Sequence, residues 1–212
     1  MPDTDLLQRL ARFERDFFPR YEATYRRLIE DGQHPKTLFI GCSDSRIVPF
    51  DLMGCGPGDL FIARNVGAFI PPWDQSAGFH GTAAAIEFAV LSLEVSNIVV
   101  CGHSHCGAIR ALYDEAPEEA HHMKAWLKLA RDAVLPVVPS PEALRRVEQR
   151  SIVLQLERLM SYPMVARRVA QGQLFLHGWY YVIEDGRVLV FDPVRGFVAG
   201  ETITAAHSGH AD

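Results

Sequence analysis

Residues 97–113, NIVVCGHSHCGAIRALY, begin as a buried strand and end as a helix. Between the two lie His103, His105 and Cys106, flanked by Gly102 and Gly107. In open α/β sheets, binding sites form at the carboxyl ends of strands. Two imidazoles and a thiol at such an end are therefore candidates for chemistry. A second stretch has the same character. TLFIGCSDSR (37–46) runs as an apolar strand into Cys42, then Asp44 and Arg46. If the two strands are neighbours, Cys42, His103 and Cys106 form one Cys–His–Cys cluster. Two thiolates and one imidazole make a zinc site whose fourth position can hold water. Cys106 also falls at a helix start, where the helix dipole favours a thiolate.

Around these stretches the chain alternates strand and helix. TLFIGC (37–42), DLFIARN (59–65) and NIVVCGH (97–103) are short apolar runs bounded by Gly, Pro, Asp or Asn. Such runs suit parallel strands covered on both faces. GTAAAIEFAVLSLEV (81–95) reads as the helix of a right-handed crossover. Helices are expected over 106–114, 119–133, 141–161 and 164–171, with Ser140 as an N-cap, Pro141 at the first helical position and Gly172 after the last helix. QLFLHGWYYVIEDGRVLVFDP (173–193) reads as a hairpin turning at EDGR. Leu6, Leu10, Phe13, Phe17 and Leu28 follow helical spacing over residues 5–30, with Pro19 as a boundary. Those helices pack either on their own core or on a second subunit. The fold class expected is α/β: a mainly parallel central β-sheet flanked by helices, with an N-terminal helical arm and an antiparallel C-terminal edge.

The chain has 212 residues, 48% hydrophobic and 22% charged, with a net charge of −5. That suits one domain spanning 1–212, comprising an arm (1–35) and a disordered tail (200–212) that carries His207 and His210. The negative charge argues against nucleic acid or an anionic membrane as partner. No stretch of 18 apolar residues occurs, and the charged N-terminus lacks a signal-peptide core, so a cytoplasmic protein is expected. Cys101 and Cys55 read as buried small hydrophobes. His105 reads as a bystander, because adjacent residues such as His105 and Cys106 diverge and rarely chelate one tetrahedral ion.

CSDSR (42–46) followed by GHSHCG (102–107) resembles the signature pair of the β-class carbonic anhydrases. The resemblance extends through RNVG (64–67), GTAAAIEFAV (81–90), VSNIVVCGHSHCG (95–107), YPMV (162–165) and HGWYY (177–181). It implies Cys42, His103 and Cys106 as ligands of one Zn²⁺ per chain. It makes Asp44 and Arg46 a dyad beside the metal, with Asp44 as fourth ligand in a closed state. Along an extended stretch, positions 42, 44 and 46 point the same way. Arg46 offers a bidentate partner that keeps Asp44 ionised. The resemblance also implies a substrate pocket from Gln33, Phe61, Val66 and Phe88 at a dimer interface, hence a homodimer or tetramer. The Gly107 N–H is a further contact for substrate.

The activity implied is reversible hydration of CO₂ to bicarbonate and a proton by zinc-bound hydroxide. Hydrolysis of CS₂ or COS on the same scaffold, or a purely structural zinc site, are the competing readings. Some β-class members bind a regulatory bicarbonate through a tryptophan, an arginine and a tyrosine. Here those positions hold Phe39, Arg64 and Tyr181, and Phe39 has no indole N–H to donate. The chain thus resembles the plant and cyanobacterial type that is not regulated by bicarbonate.

Overall fold

The computed structural model describes residues 4–74, 78 and 80–201; most of the C-terminal tail, including His207 and His210, lies outside them. Among the described residues six strands form one sheet: β1 (Thr37–Cys42), β2 (Leu60–Asn65), β3 (Asn97–His103), β4 (Phe175–Val182), β5 (Arg187–Asp192) and β6 (Gly196–Ala199), in the order β2-β1-β3-β4-β5-β6. The first four pair parallel, and β5 and β6 add antiparallel at one side. This is the expected α/β class.

The parallel strands are apolar on both faces because helices cover both. Leu38, Ile40, Ile98 and Val100 face one way, into a core shared with Ile86, Val90, Ile152 and Leu159. Phe39, Val99 and Cys101 face the other way, against Leu52 and Met53. The helix α7 (Pro141–Leu159) crosses β3 so closely that a Cβ on Gly102 would lie 2.7 Å from Ile152 Cγ1. As its sequence predicts, α7 starts at Ser140, whose hydroxyl accepts the Ala143 N–H, followed by Pro141.

Several boundaries differ from expectation. The helix expected over 81–95 is α4 (Gly81–Glu87), continued by a wider π-turn over Phe88–Ser92. The helix expected over 106–114 is only α5 (Gly107–Arg110). Tyr113 is pulled aside, its hydroxyl donating to the Leu135 carbonyl and accepting the Leu135 N–H. The segment 119–133 is α6 (His121–Leu127) plus a 3-10 turn through Ala133, and α8 covers Pro163–Ala170. The hairpin turns through Ile183–Asp185, with Gly186 at φ 61°, a left-handed value that suits glycine. Strand β6 was not anticipated.

At the N-terminus, α1 (Thr4–Arg12) and α2 (Phe18–Asp31) are joined by a π-turn over Phe13–Phe17. Pro19 sits in the first turn of α2, where its missing N–H cannot close a bond back to Arg15. Neither helix has a buried residue: Leu6, Leu10, Phe13 and Phe17 are all about half exposed or more.

Tyr162 is among the core residues that make the fold sensitive to alkali. Burial pushes the Tyr162 hydroxyl up to about 12, and in the neutral form it donates to the Pro71 carbonyl at 2.9 Å. A raised folded-state pKa gives stability that is full below the unfolded value, about 10, and lost as pH rises toward 12. Urea midpoints should therefore fall between pH 9 and 11 in the native protein and fall less in Tyr162→Phe.

Candidate metal centre

Strands β1 and β3 are parallel neighbours, with Gly41 level with Cys101. Their carboxyl ends thus bring Cys42 and His103 side by side, and the Ser104–His105 turn returns Cys106 toward them. The two Sγ atoms and an imidazole nitrogen all lie within 4.8 Å of one another. All three residues are buried, at 5% exposure or less. His103 Nδ1 lies 2.8 Å from the Ser104 carbonyl. A carbonyl only accepts, so Nδ1 carries the hydrogen and Nε2 keeps its lone pair. Nε2 is buried and has no hydrogen-bond partner among the described residues. Leaving such an atom bare in a protein interior is costly, and a metal ion removes that cost. The donor set, two thiols and one imidazole, is that of a zinc site with an open fourth position.

The two thiols are not equivalent. Cys42 is depressed well below an ordinary thiol, chiefly because the Cys106 thiol hydrogen-bonds to it, with the Gly67 N–H assisting. Cys106 is raised by that same neighbouring thiolate and by burial. Metal binding at this pair must therefore expel a proton. Cys101 points into the opposite core, where burial pushes its thiol up to about 12. Cys55 lies outside the cluster, and so does the His105 ring, which faces Glu184 instead.

Asp44 and Arg46 meet by a different geometry from the extended stretch expected. Strand β1 ends at Cys42, and the chain turns at once. The Arg46 N–H donates to Asp44 Oδ1 at 3.0 Å, and the Ile47 N–H donates to the Asp44 carbonyl at 3.0 Å. Aspartate favours this turn because its side chain satisfies an N–H two residues on. The turn folds the guanidinium back over the carboxylate: Arg46 Nε donates to Oδ1 at 2.9 Å and Nη2 to Oδ2 at 2.7 Å. That pairing holds Asp44 well below the usual carboxylate range. Asp44 Oδ2 lies 3.9 Å from His103 Nε2, at the mouth of the cluster.

The turn is anchored from behind. Arg64 donates to the Cys42 carbonyl at 2.9 Å and to the Asp44 carbonyl at 2.7 Å. Gly67, at φ 82°, aims its N–H at Cys42 Sγ. Its neighbour Val66 is half exposed beside the cluster and accepts the Trp126 indole N–H through its carbonyl. Val66 and Trp126 border a cleft of about 1100 Å³ that also reaches Ser43, His80 and His122. Gly107 opens α5, and an added Cβ there would meet nothing within 4 Å.

Gln33, Phe61 and Phe88 are placed elsewhere. Phe61 is level with Leu38, four residues below Cys42 on the neighbouring strand, or about 13 Å along the sheet. Phe88 packs on Phe61, with ring centroids 5.6 Å apart. Gln33 is exposed before β1, at the same far end. Within one chain these three do not reach the metal cluster.

Sequence reasoning missed Glu148. It is buried on α7, accepts the Cys106 N–H at 3.0 Å and the Tyr180 hydroxyl at 2.6 Å, and is raised by burial. Glu148, Ser151 and Gln155 form a buried polar stripe among Val147, Ile152 and Leu159. That stripe, read as misplaced polarity on a core helix, was the available signal.

A three-donor cluster at the ends of parallel strands, with an ionised carboxylate held at its mouth, defines the class as a metalloenzyme of α/β fold. The model of the carbonic anhydrase family matches residues 37–188. A carbonic anhydrase of Synechocystis is 39% identical over 206 residues, covering 93% of this chain and 74% of the relative. One from Pseudomonas aeruginosa is 39% identical over 204 residues, covering 92% and 90%. Among solved structures, the β-carbonic anhydrase CcaA superposes with a TM-score of 0.85 at 38% identity, covering 92% of this chain and 98% of that one. A tetrameric β-carbonic anhydrase from Sordaria macrospora gives 0.74 at 27% identity, covering 89% and 97%. The chain belongs to the carbonic anhydrase family, in its β class. This is a family of zinc lyases, and the Cys42–His103–Cys106 cluster suits one such ion.

Proposed function

We propose that this enzyme catalyses the reversible hydration of CO₂ to bicarbonate and a proton, with Cys42, His103 and Cys106 as the zinc ligands and Asp44 and Arg46 as the dyad. The observation that carries this is the pairing of a bare, buried His103 Nε2 with an ionised Asp44 at the mouth of the same cluster. Zinc, when bound, supplies Lewis acidity that readies water for attack on CO₂. Asp44, ionised and acceptor-only, orients that water through Oδ2. Arg46 holds both Asp44 oxygens, which keeps the carboxylate off the metal. Val66 offers an apolar wall to an apolar gas, and Gly107 leaves room beside it. Stopped-flow hydration by zinc-loaded protein, run against CS₂ and COS hydrolysis, tests the assignment. Fast turnover of CS₂ or COS with none of CO₂ would overturn it, and so would zinc binding with no turnover of any gas.

The site is completed by a second copy. Gln33, Phe61 and Phe88 lie at the end of the sheet remote from the metal, next to β2, the outermost parallel strand. On α1 and α2 an apolar face stays uncovered by the chain's own core. A homodimer that buries this arm and brings the far end of one sheet to the metal of the other explains both features; the Sordaria relatives are tetramers. One domain over 1–212, with 1–35 as the arm, and a cytoplasmic setting complete the reading. The setting is supported by four free cysteines, and among the described residues no helix is long and apolar enough to cross a membrane.

Bicarbonate should not act as a cooperative inhibitor. Phe39 is fully buried, and Arg64 is committed to the Cys42 and Asp44 carbonyls. An anion there would lack a donor, at a cost of about 10- to 100-fold in affinity. Hydration rates against added bicarbonate, corrected for product inhibition, should be hyperbolic in the native enzyme. A sigmoidal decline would contradict this, whereas one appearing only in Phe39→Trp would support it.

A further inference from the structure

The metal-ligand turn is held from outside by one carboxylate that plays no part in the chemistry just described. Glu184 lies in the β4–β5 turn, 78 residues beyond Cys106 in sequence. Two donors converge on it, and the His105 ring lies alongside. The Ser104 hydroxyl donates to Oε2 at 2.6 Å, the His105 ring nitrogen Nε2 lies 3.3 Å from Oε2, and the Arg145 guanidinium from α7 pairs with Oε1. Ser104 is tied to the same hairpin twice more. Its oxygen accepts the Ile183 N–H at 2.9 Å, and its own N–H donates to the Tyr181 carbonyl at 2.9 Å. The hydrogen bond from Ser104 is the main reason the Glu184 carboxyl falls to about 2.

These bonds hold a strained backbone. His105 adopts φ 58°, a left-handed conformation unusual for a residue with a side chain. In that conformation its carbonyl faces the dyad and accepts Arg46 Nη2 at 2.9 Å. The same Nη2 donates to Asp44 Oδ2. Arg46 therefore has two supports, Asp44 itself and the His105 carbonyl, and Glu184 secures the second. With it gone, Arg46 would be held by Asp44 alone, and the Asp44 carboxylate would be freer to turn toward the metal.

We propose that Glu184 is a positioning residue for the Asp44–Arg46 pair: by clamping Ser104 and His105 it fixes the carbonyl that keeps Arg46 in place. This rests on the reading of Asp44 and Arg46 as the working dyad. His105 thus acts through its backbone carbonyl, outside the metal cluster.

The test is Glu184→Ala beside Glu184→Gln and Arg46→Ala. The readout independent of turnover is hydrogen exchange of the Arg46 side-chain Nε–H, followed by NMR in metal-free protein and identified by its loss in Arg46→Ala. Glu184→Ala should speed that exchange and lower kcat/KM of the zinc-loaded enzyme by about 5- to 10-fold, the scale of one ordinary hydrogen bond, because the loss reaches Arg46 only through the His105 carbonyl. Zinc content should stay at one per chain, because no ligand side chain is altered. Glu184→Gln, which can still accept from Ser104, should recover part of both losses. If Glu184→Ala lowers only thermal stability, and leaves Arg46 exchange unchanged, the proposal fails. If Arg46→Ala is fully active, the dyad reading fails instead, while the exchange measurement still decides whether Glu184 holds Arg46.

Discussion

Cys106→Ser should bind zinc roughly a thousandfold more weakly than the native chain and show almost no hydration of CO₂. A structural zinc site holds its ion with about 10–16 kcal/mol shared among its ligands, so removing one thiolate forfeits several kcal/mol. The hydroxyl left behind stays protonated near neutral pH and cannot replace the thiolate's charge. Position matters as much as chemistry here. Cys106 is fixed by its own N–H, which donates to the buried Glu148, so the serine will sit where the thiol sat. The loss would then report the ligand atom and not a moved loop. Cys55→Ser should leave zinc and turnover intact, since Cys55 lies outside the cluster. Zinc per chain after gel filtration, measured by atomic emission, separates the outcomes; full occupancy in Cys106→Ser would refute its role as a ligand.

Arg46→Ala should retain zinc yet lose about 10- to 100-fold in kcat/KM, the usual cost of removing a partner that orients a group at a metal. In the native chain both carboxylate oxygens of Asp44 are engaged by the guanidinium. Without it, the nearest strong attraction for Asp44 is the metal itself, and a carboxylate there would displace water. Arg46→Lys should rescue only part of the loss, because an ammonium cannot bond both oxygens in the fixed fork of a guanidinium. A pH–rate profile adds a sign. Two thiolates cancel the formal charge of Zn²⁺, so activity should rise toward alkaline pH. A flat profile from pH 6 to 9, or an active Arg46→Ala, would contradict this account.

The ligand residues were legible because they break a pattern. Cys42 and His103 end apolar runs whose Leu, Phe, Ile and Val side chains pack into the cores, and a parallel pairing of those runs brings them together. Ser140 and Pro141 announced α7 by local chemistry alone. The parts that stayed hidden depend on contacts far along the chain. Arg110 ends α5 because Tyr113 reaches Leu135, a bond between residues 22 apart. Strand β6 is four residues long and becomes a strand only beside β5. Glu148 and Glu184 look like solvated charges in a helix and a turn, yet their partners lie 42 and 80 residues away. Asp44 shows a third limit. Its pairing with Arg46 was expected, but the means was a turn built from its own side chain, not the alternation of a strand.

The separation of Phe61 from Cys42 along the sheet has a consequence for inheritance. If the metal comes from one copy and the pocket wall from the other, each working site is encoded twice over. A chain lacking Cys106 would still carry a sound wall, and a chain altered at Phe61 and Phe88 would still carry a sound metal centre. Mixed in one dimer, the two would assemble one site with every part intact and one with both parts broken. Two inactive alleles would then restore activity between them, as neither does alone.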